Sequence, residues 1–272
     1  MCPVKTLLDS ILDDWQLTPT GDPLGSRAEV VAVRTVDNRR AVLRLAEPTG
    51  WHRGTIPALK AWRTHGAVEV LRAAPAKGAV LLEPLEPAGL WGDDELDALA
   101  LLWQALHVPA PASVPTVDEL LSPALDDIEA AGRRSGLPPQ LAQQAVALGR
   151  DLLGHPGPQV LVHGALHADH VMLRGGGVAA ISPLGFAGDA ECEAAAAFDL
   201  VTGGVPEIQD HAWALLDALA AADVEVDEHR FRDWTVVLSA VRAFRSTENR
   251  RRTHLLTVAK AIGAMTFDDA VD

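Results

Sequence analysis

Three histidines and one aspartate lie within eight residues near the middle of this 272-residue chain. They are His163, His167, Asp169 and His170, in the segment H-G-A-L-H-A-D-H. Imidazole and carboxylate together are suited to Zn²⁺ or another transition metal. The four-residue spacing of His163 and His167 would align two ligands on a helix, but this segment is expected to be a loop. A metal site therefore stays one of several interpretations.

The elements around these residues form a short β-rich insert in a helical region. Strands are predicted at Gln159–Val162, Val171–Leu173 and Val178–Ile181, and a glycine turn joins the last two. Helices are predicted from apolar periodicity at Asp94–Leu106, Val117–Ser135, Pro139–Leu153, Pro206–Ala222, Glu228–Arg245 and Asn249–Met265. The insert would thus present its loop against a mainly helical body.

The first third of the chain has a different pattern. A helix is predicted at Leu7–Trp15, strands at Ala28–Thr35 and Arg40–Leu45, a helix at Pro57–Thr64, and strands at Val68–Ala73 and Ala79–Glu83. Pro84, Pro87 and Gly89 then interrupt the chain like a hinge. We predict an α+β protein with a small mixed lobe, residues 1–85, and a larger mainly helical lobe, residues 86–272.

The segment from residue 160 to residue 189 resembles the catalytic segment of the aminoglycoside phosphotransferase family. In that family H-G-D-x-H-x-x-N-V is followed by a hairpin and by I-D-P-x-G-x-x-G-D, and this chain has H-G-A-L-H-A-D-H-V and I-S-P-L-G-F-A-G-D. The streptomycin 6-kinase/hydroxyurea phosphotransferase branch is the most similar to it. Further matches are A-V-L-R-L at 41–45, A-L-K-A-W at 58–62, V-L-L-E-P-L at 80–85 and L-H-V-P at 106–109. The resemblance implies a two-lobed protein-kinase-like fold, ATP and Mg²⁺ as cofactors, and an alcohol group of an aminoglycoside-like small molecule as phosphoryl acceptor.

The resemblance also assigns five catalytic roles, and this chain departs from the family at each. The strand lysine falls on Arg44, the helix glutamate near Thr55, the catalytic-loop aspartate on Ala165, the metal-binding asparagine on His170 and the second metal-binding aspartate on Ser182. An arginine fork does not replace a lysine point charge, and Mg²⁺ prefers oxygen ligands. We therefore predict a pseudokinase, inactive by the family's mechanism, that binds a small molecule, a nucleotide or a protein partner.

Other family positions are retained. His163 and His167 match the two motif histidines and are expected to brace the loop through hydrogen bonds to the backbone. Asp189 matches the closing aspartate, which the resemblance makes structural, although it is also a candidate metal ligand. Glu83 and Leu85 bound the hinge, whose backbone would contact adenine.

Two further interpretations remain open. An active kinase with a rearranged site could use Asp169 as base and Asp189 or Glu191 to hold Mg²⁺. Ser26, in the segment G-D-P-L-G-S at 21–26, lies near the position of a phosphate-covering loop. Its hydroxyl and the neighbouring N–H groups could bind an anion, or the segment could be an ordinary turn.

Composition excludes several classes of protein. The net charge of −14 disfavours nucleic acid as a partner, and it suits either a cationic ligand or solubility alone. No apolar run is long enough to cross a bilayer, and the first residues lack the pattern of a signal peptide, so a cytoplasmic location is expected. Cys2 and Cys192 form neither a disulfide framework nor a metal-binding spacing.

Overall fold

A computed structural model describes residues 3–23, 29–47, 52–63, 65–90 and 92–267. Its first part contains a five-stranded antiparallel sheet. The strands are β1 (Thr18–Pro19), β2 (Glu29–Arg34), β3 (Arg40–Leu45), β4 (Val70–Ala74) and β5 (Ala79–Leu82). They are arranged in the order β1-β2-β3-β5-β4, which places β3 at the centre of the sheet.

One face of this sheet is covered by helix α1 (Pro3–Trp15). Alternate residues of β2 and β3, among them Val31, Val33 and Leu43, are buried and form a cluster with Ile11 of α1. The two strands are joined by a tight turn in which Asn38 has a positive φ of 62°, a conformation that Asn adopts more readily than most residues. Burial of every second residue, together with this turn, explains why the two strands form where they were predicted.

Helix α2 (Thr55–Trp62) packs against both the sheet and the helical part of the chain. Leu59 and Trp62 belong to a buried cluster that also contains Val80 of β5 and Trp103 of helix α3 (Asp93–Leu106). The indole Nε1 of Trp62 donates a hydrogen bond of 2.7 Å to the carbonyl oxygen of Leu106. The sheet and the helices therefore share one apolar core across the hinge.

The remaining helices pack around α8 (Glu228–Arg245), which contacts α5, α6 and α9. They are α4 (Val117–Ala131), α5 (Pro139–Gly154), α6 (Ala194–Ala197), α7 (Val205–Ala221) and α9 (Asn249–Gly263). The helix predicted over 117–135 ends earlier, because Gly132 has a positive φ of 50° and a 3₁₀ turn follows. In the part of the chain described here, no helix is both long enough and apolar enough to span a membrane.

Four short strands form the β-rich insert, and a fifth, from the hinge, pairs with one of them. Strand β7 (Gln159–Val162) pairs with β10 (Phe186–Asp189), and β6 (Glu86–Pro87), β8 (Val171–Arg174) and β9 (Gly177–Ala180) form a second sheet. Strands β6 and β10 were not expected from the sequence. Together the two small sheets fix both ends of the loop that carries the histidines. A lobe boundary at residue 85 remains a prediction.

Candidate functional site

The histidine-containing loop follows β7 and is anchored at its first two residues. The backbone N–H groups of His163 and Gly164 donate to the two carboxylate oxygens of Glu193 at 2.7 and 2.8 Å. The fully buried ring of His163 donates from Nε2 to the carbonyl oxygen of Ile181 at 3.0 Å. This geometry holds the loop against the strand that leads to Ser182.

The three imidazoles of this loop lie close to one another, with His163 fully buried and the other two partly buried. His163 lies against Trp62 of α2 with ring centroids 6.0 Å apart, and the rings of His167 and His170 are 4.1 Å apart. His170 donates from Nδ1 to the carbonyl oxygen of Ala165 at 2.6 Å. Burial lowers the pKa of His163 and of His167 to about 4, and it also lowers the pKa of His170. All three rings are therefore neutral at neutral pH.

This arrangement does not support the metal interpretation of the loop. Among the residues that the structure describes, no three His, Cys, Asp or Glu side chains are grouped to hold a metal ion. Nitrogens of His163 and His170 are occupied by backbone carbonyls, and Asp169 is exposed within a 3₁₀ turn. Asp169 instead faces Glu95 of α3, whose pKa is raised by burial and by the charge of Asp169.

The two positions that the resemblance matches to catalytic aspartates, Ala165 and Ser182, lie in this loop and two residues after β9. The backbone N–H of Ala165 donates to Nδ1 of His163 at 3.3 Å, and Ala165 has no side-chain acceptor. Ser182 has a positive φ of 59°, in the left-handed region. The next carbonyl, that of Pro183, accepts a buried hydrogen bond of 2.7 Å from the hydroxyl of Thr55. Helix α2 is thus joined to the 182–185 loop at the position where a glutamate was expected.

Arg44 of β3 is buried, with 7% of its surface exposed. Its guanidinium makes no hydrogen bond or ion pair to any residue in the described ranges, and burial lowers its pKa. It lines a cavity of ≈ 50 Å³ together with His52, Arg53 and Thr55. The expected lysine–glutamate pair is therefore replaced by an arginine without a carboxylate and a threonine that bonds elsewhere.

Asp189 lies at the end of β10 and is 1% exposed. Its carboxylate accepts hydrogen bonds from the N–H of Gly157 at 3.0 Å, from Nε2 of Gln159 at 2.7 Å and from Nε1 of Trp234 at 2.8 Å. It also forms an ion pair with Arg230 of α8. Both oxygens are therefore engaged in holding β7, β10 and α8 together.

Two other carboxylates near the loop were missed by sequence reasoning. Glu193 is 1% exposed and caps the loop, as described above. Asp199 forms an ion pair with Arg242 of α8 and lies 3.6 Å from Arg251. Glu191, a candidate for Mg²⁺, is also buried and accepts a hydrogen bond of 3.3 Å from the N–H of Asp227. No pattern in the sequence marks Glu193 as buried, because acidic residues are mostly exposed.

The hinge is fastened by a side chain from the second sheet. Glu83 accepts from the N–H of Glu69 at 2.8 Å and from Arg174 of β8 at 3.1 Å. Arg174 also donates to the carbonyl oxygen of Ala67 at 2.7 Å. Leu85 is half-buried beside this network. Ser26, the candidate anion ligand, lies outside the described residues.

Comparison with known proteins agrees with the resemblance found in the sequence. A family model described as aminoglycoside/hydroxyurea antibiotic resistance kinase matches residues 14–249. A streptomycin 6-kinase from Streptomyces glaucescens is 29% identical over 178 residues, which are 62% of this chain and 58% of that kinase. A hydroxyurea phosphotransferase from Kitasatospora aureofaciens is 30% identical over 231 residues, 75% of this chain and 68% of that protein.

The fold is also that of this class. The crystal structure of a thermostable aminoglycoside phosphotransferase mutant, in ternary complex with ADP and hygromycin B, aligns with a TM-score of 0.60 at 14% identity. The alignment covers 95% of this chain and 99% of that one. The two-lobed protein-kinase-like α+β fold predicted from the sequence is confirmed. The chain belongs to the aminoglycoside/hydroxyurea antibiotic resistance kinase family.

Proposed function

We propose that the chain is a catalytically inactive member of this family, a pseudokinase whose cleft binds a small molecule, a nucleotide or a protein partner. One observation carries the proposal: positions 165 and 182 hold alanine and serine, and the buried acids nearby are committed to structural contacts. Glu193 caps the loop, Asp189 ties α8 to the small sheet, and Asp199 pairs with α8.

The expected loss of rate is large. Phosphoryl transfer depends on a positioned base and on charge neutralisation by metal ions. Loss of a general base alone costs about 10²–10⁴-fold, and loss of the metal removes several further kcal/mol of transition-state stabilisation. The residues at the Mg²⁺ positions do not fit this ion, because His170 offers nitrogen and Ser182 a neutral hydroxyl. We therefore assign the chain no metal-dependent transfer step.

A second candidate function is an active, ATP-dependent phosphotransferase with a rearranged site. One observation favours it: Asp169 is exposed, and its side chain makes no hydrogen bond to any described residue. Asp169 could then act as base toward an alcohol group of an aminoglycoside-like molecule, with Glu95 beside it attracting a cationic substrate. It would have to do so without the acids that hold Mg²⁺ in the family.

The test restores the two missing acids together, as Ala165→Asp with Ser182→Asp. Aspartate is compatible with the left-handed backbone at position 182. We expect the wild-type melting temperature, measured with ATP, to be unaffected by Mg²⁺. The restored variant should gain a Mg²⁺-dependent rise, about 2–5 °C when ligand is well above Kd.

The matched control is Ala165→Asn with Ser182→Asn, which has the same shape and no charge. It should remain insensitive to Mg²⁺. A Mg²⁺-dependent rise in the wild type, or transfer of labelled phosphate from ATP to an aminoglycoside by the wild type, would contradict the proposal. Failure of the restored variant to bind would show either that the acids were placed at the wrong positions or that the cleft is also blocked elsewhere.

A further inference from the structure

A groove lies on the surface of the helical part of the chain, between the end of α4 and the length of α5. Its volume is ≈ 620 Å³, within the range of about 300–1,000 Å³ that is common for small-molecule sites. Its floor is apolar and is formed by Ile128, Pro139, Ala142, Val146 and Ala147. Ile128 and Ala142 also belong to the buried cluster beneath it, so the floor is supported by a packed core.

The groove exists because small side chains face each other across the two helices. Its lining residues on α5 recur every three or four positions, from Pro139 to Arg150, and therefore share one face of that helix. At Ala142 and Ala147 this face presents only methyl groups, and Gly132 at the end of α4 presents no side chain at all. The space between the helices is left open for a ligand.

The charges at the two ends of this groove are unequally satisfied. At one end Arg150 forms ion pairs with Asp126 and Glu129 of α4. At the other end Arg133 lines the groove, is exposed, and makes no hydrogen bond or ion pair to any residue in the described ranges. Helix α5 begins at this same end without a side-chain cap, so the positive end of its dipole adds to the charge of Arg133. This end therefore favours an acidic group, although the net charge of the chain is −14.

The groove is remote from the cleft between the sheet and the helices. Thr116, which precedes α4, pairs with Ala187 of β10, and Ile128 lies about 18 Å further along the helix. The described lining residues include no position that the resemblance matches to a catalytic role. A cationic end also disfavours a cationic molecule such as an aminoglycoside. The groove is therefore a separate site with a different preference in charge.

We propose that this groove binds one small amphipathic anion. The aromatic or alicyclic body of the ligand lies on the apolar floor, and its carboxylate or sulfonate group pairs with Arg133. Burial of the body supplies most of the affinity, and the charge-assisted hydrogen bonds of Arg133 fix its orientation. The inference does not depend on the proposed function, because binding here requires neither a nucleotide nor a metal ion nor the acids missing at 165 and 182.

The test uses two dyes that share one aromatic body, 8-anilinonaphthalene-1-sulfonate and the uncharged N-phenyl-1-naphthylamine. Fluorescence titration of the wild-type chain with the sulfonate should give one site with a Kd of about 10–100 μM, the range for a ligand of about 20 non-hydrogen atoms. The uncharged dye should bind about fivefold more weakly. Only the sulfonate should lose affinity as the salt concentration is raised, because only its binding includes an exposed ion pair.

Arg133→Gln tests the charged end of the groove. It should lower the affinity for the sulfonate to that for the uncharged dye and leave binding of the uncharged dye unchanged. Arg134→Gln is the matched control, since Arg134 is exposed in the same 3₁₀ turn and does not line the groove. It should bind both dyes like the wild type. Equal losses in the two variants would indicate general attraction to the surface and would overturn the proposal.

Ala147→Trp tests the apolar floor by filling the groove, and it should abolish binding of both dyes. Its control is Ala130→Trp, at an exposed position of α4 outside the groove, which should bind both dyes like the wild type. Because both positions are exposed, each variant should melt within about 2 °C of the wild type. If Ala147→Trp does not fold, the two arginine variants and the salt dependence decide the question.

Three results contradict the proposal. The first is absence of sulfonate binding to the wild type, and the second is unchanged binding in Ala147→Trp. The third is an affinity that falls as the protein concentration is raised, which would identify the groove as an interface between copies of the chain. Streptomycin, a cation, should not displace the sulfonate, and displacement would place the dye in the cleft instead.

Discussion

The side chain of Asp189 is enclosed by donors from three parts of the chain. They come from the turn before β7, from β7 itself and from α8. A carboxylate with four donors has no free oxygen for a metal. This residue, retained from the family's catalytic segment, therefore acts in packing.

We predict that Asp189→Asn destabilises the chain strongly. The substitution leaves Arg230 without its counter-charge and replaces an acceptor oxygen with an NH₂ group that faces other donors. Loss of one partner of a buried ion pair costs about 3–5 kcal/mol, which urea denaturation can measure. The control is Asp126→Asn, which removes an exposed ion pair with Arg150 and should cost less than about 1 kcal/mol. Equal effects of the two substitutions would contradict this account.

At the scale of single residues, the sequence could identify which catalytic groups are missing. It could not identify which residues the retained side chains contact. Ala165, His170 and Ser182 stand at family positions, and their departures can be recognised from the motif alone. The partners of His163 could not be recognised from the sequence, because Ile181 and Glu193 lie 18 and 30 residues away along the chain. Those contacts depend on the pairing of β7 with β10, which no local pattern specifies.

Helix α2 is fitted closely to the loop that precedes β10. A Cβ atom at Gly54 would lie 1.7 Å from the carbonyl oxygen of Gly185, and Gly185 itself has a positive φ of 76°. The buried hydrogen bond from Thr55 to Pro183 lies next to this contact. The helix is thereby fixed to the loop by backbone proximity as well as by a side chain.

We predict that Gly54→Ala displaces α2 from this loop. The added methyl group cannot be accommodated without movement of backbone on one side, and we expect a loss of about 3 kcal/mol in the free energy of unfolding. Gly154→Ala, at a helix end where a Cβ would meet nothing within 4 Å, is the control and should have little effect. A crystal structure of Gly54→Ala with α2 unmoved would contradict the prediction.

The sequence predicted whole elements well where the residue pattern is local. Strand β3 and helix α8 have the predicted bounds, because alternation and helical periodicity continue through each of them. Strand β10 was missed, since F-A-G-D contains a glycine and reads as a loop, and its pairing with β7 alone makes it a strand. The four-residue helix α6 was missed because it is shorter than any periodic pattern.

At the scale of the molecule, the apolar cluster that joins the sheet to the helices also encloses the histidine loop. Trp62 belongs to this cluster and stacks on His163. The ring of His163 can reach water only if this shared core opens. Protonation of the loop is therefore linked to the stability of the whole chain.

We predict that the free energy of unfolding decreases as the pH falls below 6.5. The pKa of His163 and of His167 is about 4 in the folded chain and about 6.5 when unfolded, so the unfolded chain binds more protons between these values. Stability is then highest above pH 6.5 and is lost toward pH 4, at about 1.4 kcal/mol per pH unit for each histidine. Between pH 7.5 and 5 this amounts to about 2 kcal/mol for each histidine.

Urea denaturation at several pH values checks the prediction. His167→Gln should have a smaller pH dependence than the wild type, because one buried imidazole has been removed. The control His155→Gln changes an exposed histidine and should leave the pH dependence unchanged. Burial also raises the pKa of Glu191, which acts in the opposite direction, so the comparison between variants is more informative than the wild-type curve alone. Identical curves for wild type and His167→Gln would contradict the prediction.

The left-handed backbone at Ser182 has a consequence for how this chain could evolve. Serine is less suited to that conformation than aspartate or asparagine, so the backbone at position 182 favours residues that the chain does not have there. Introduction of an acid at this position would require no rebuilding of the main chain. A protein of this kind could acquire an acidic side chain here by a single substitution, whereas one with a remodelled loop could not.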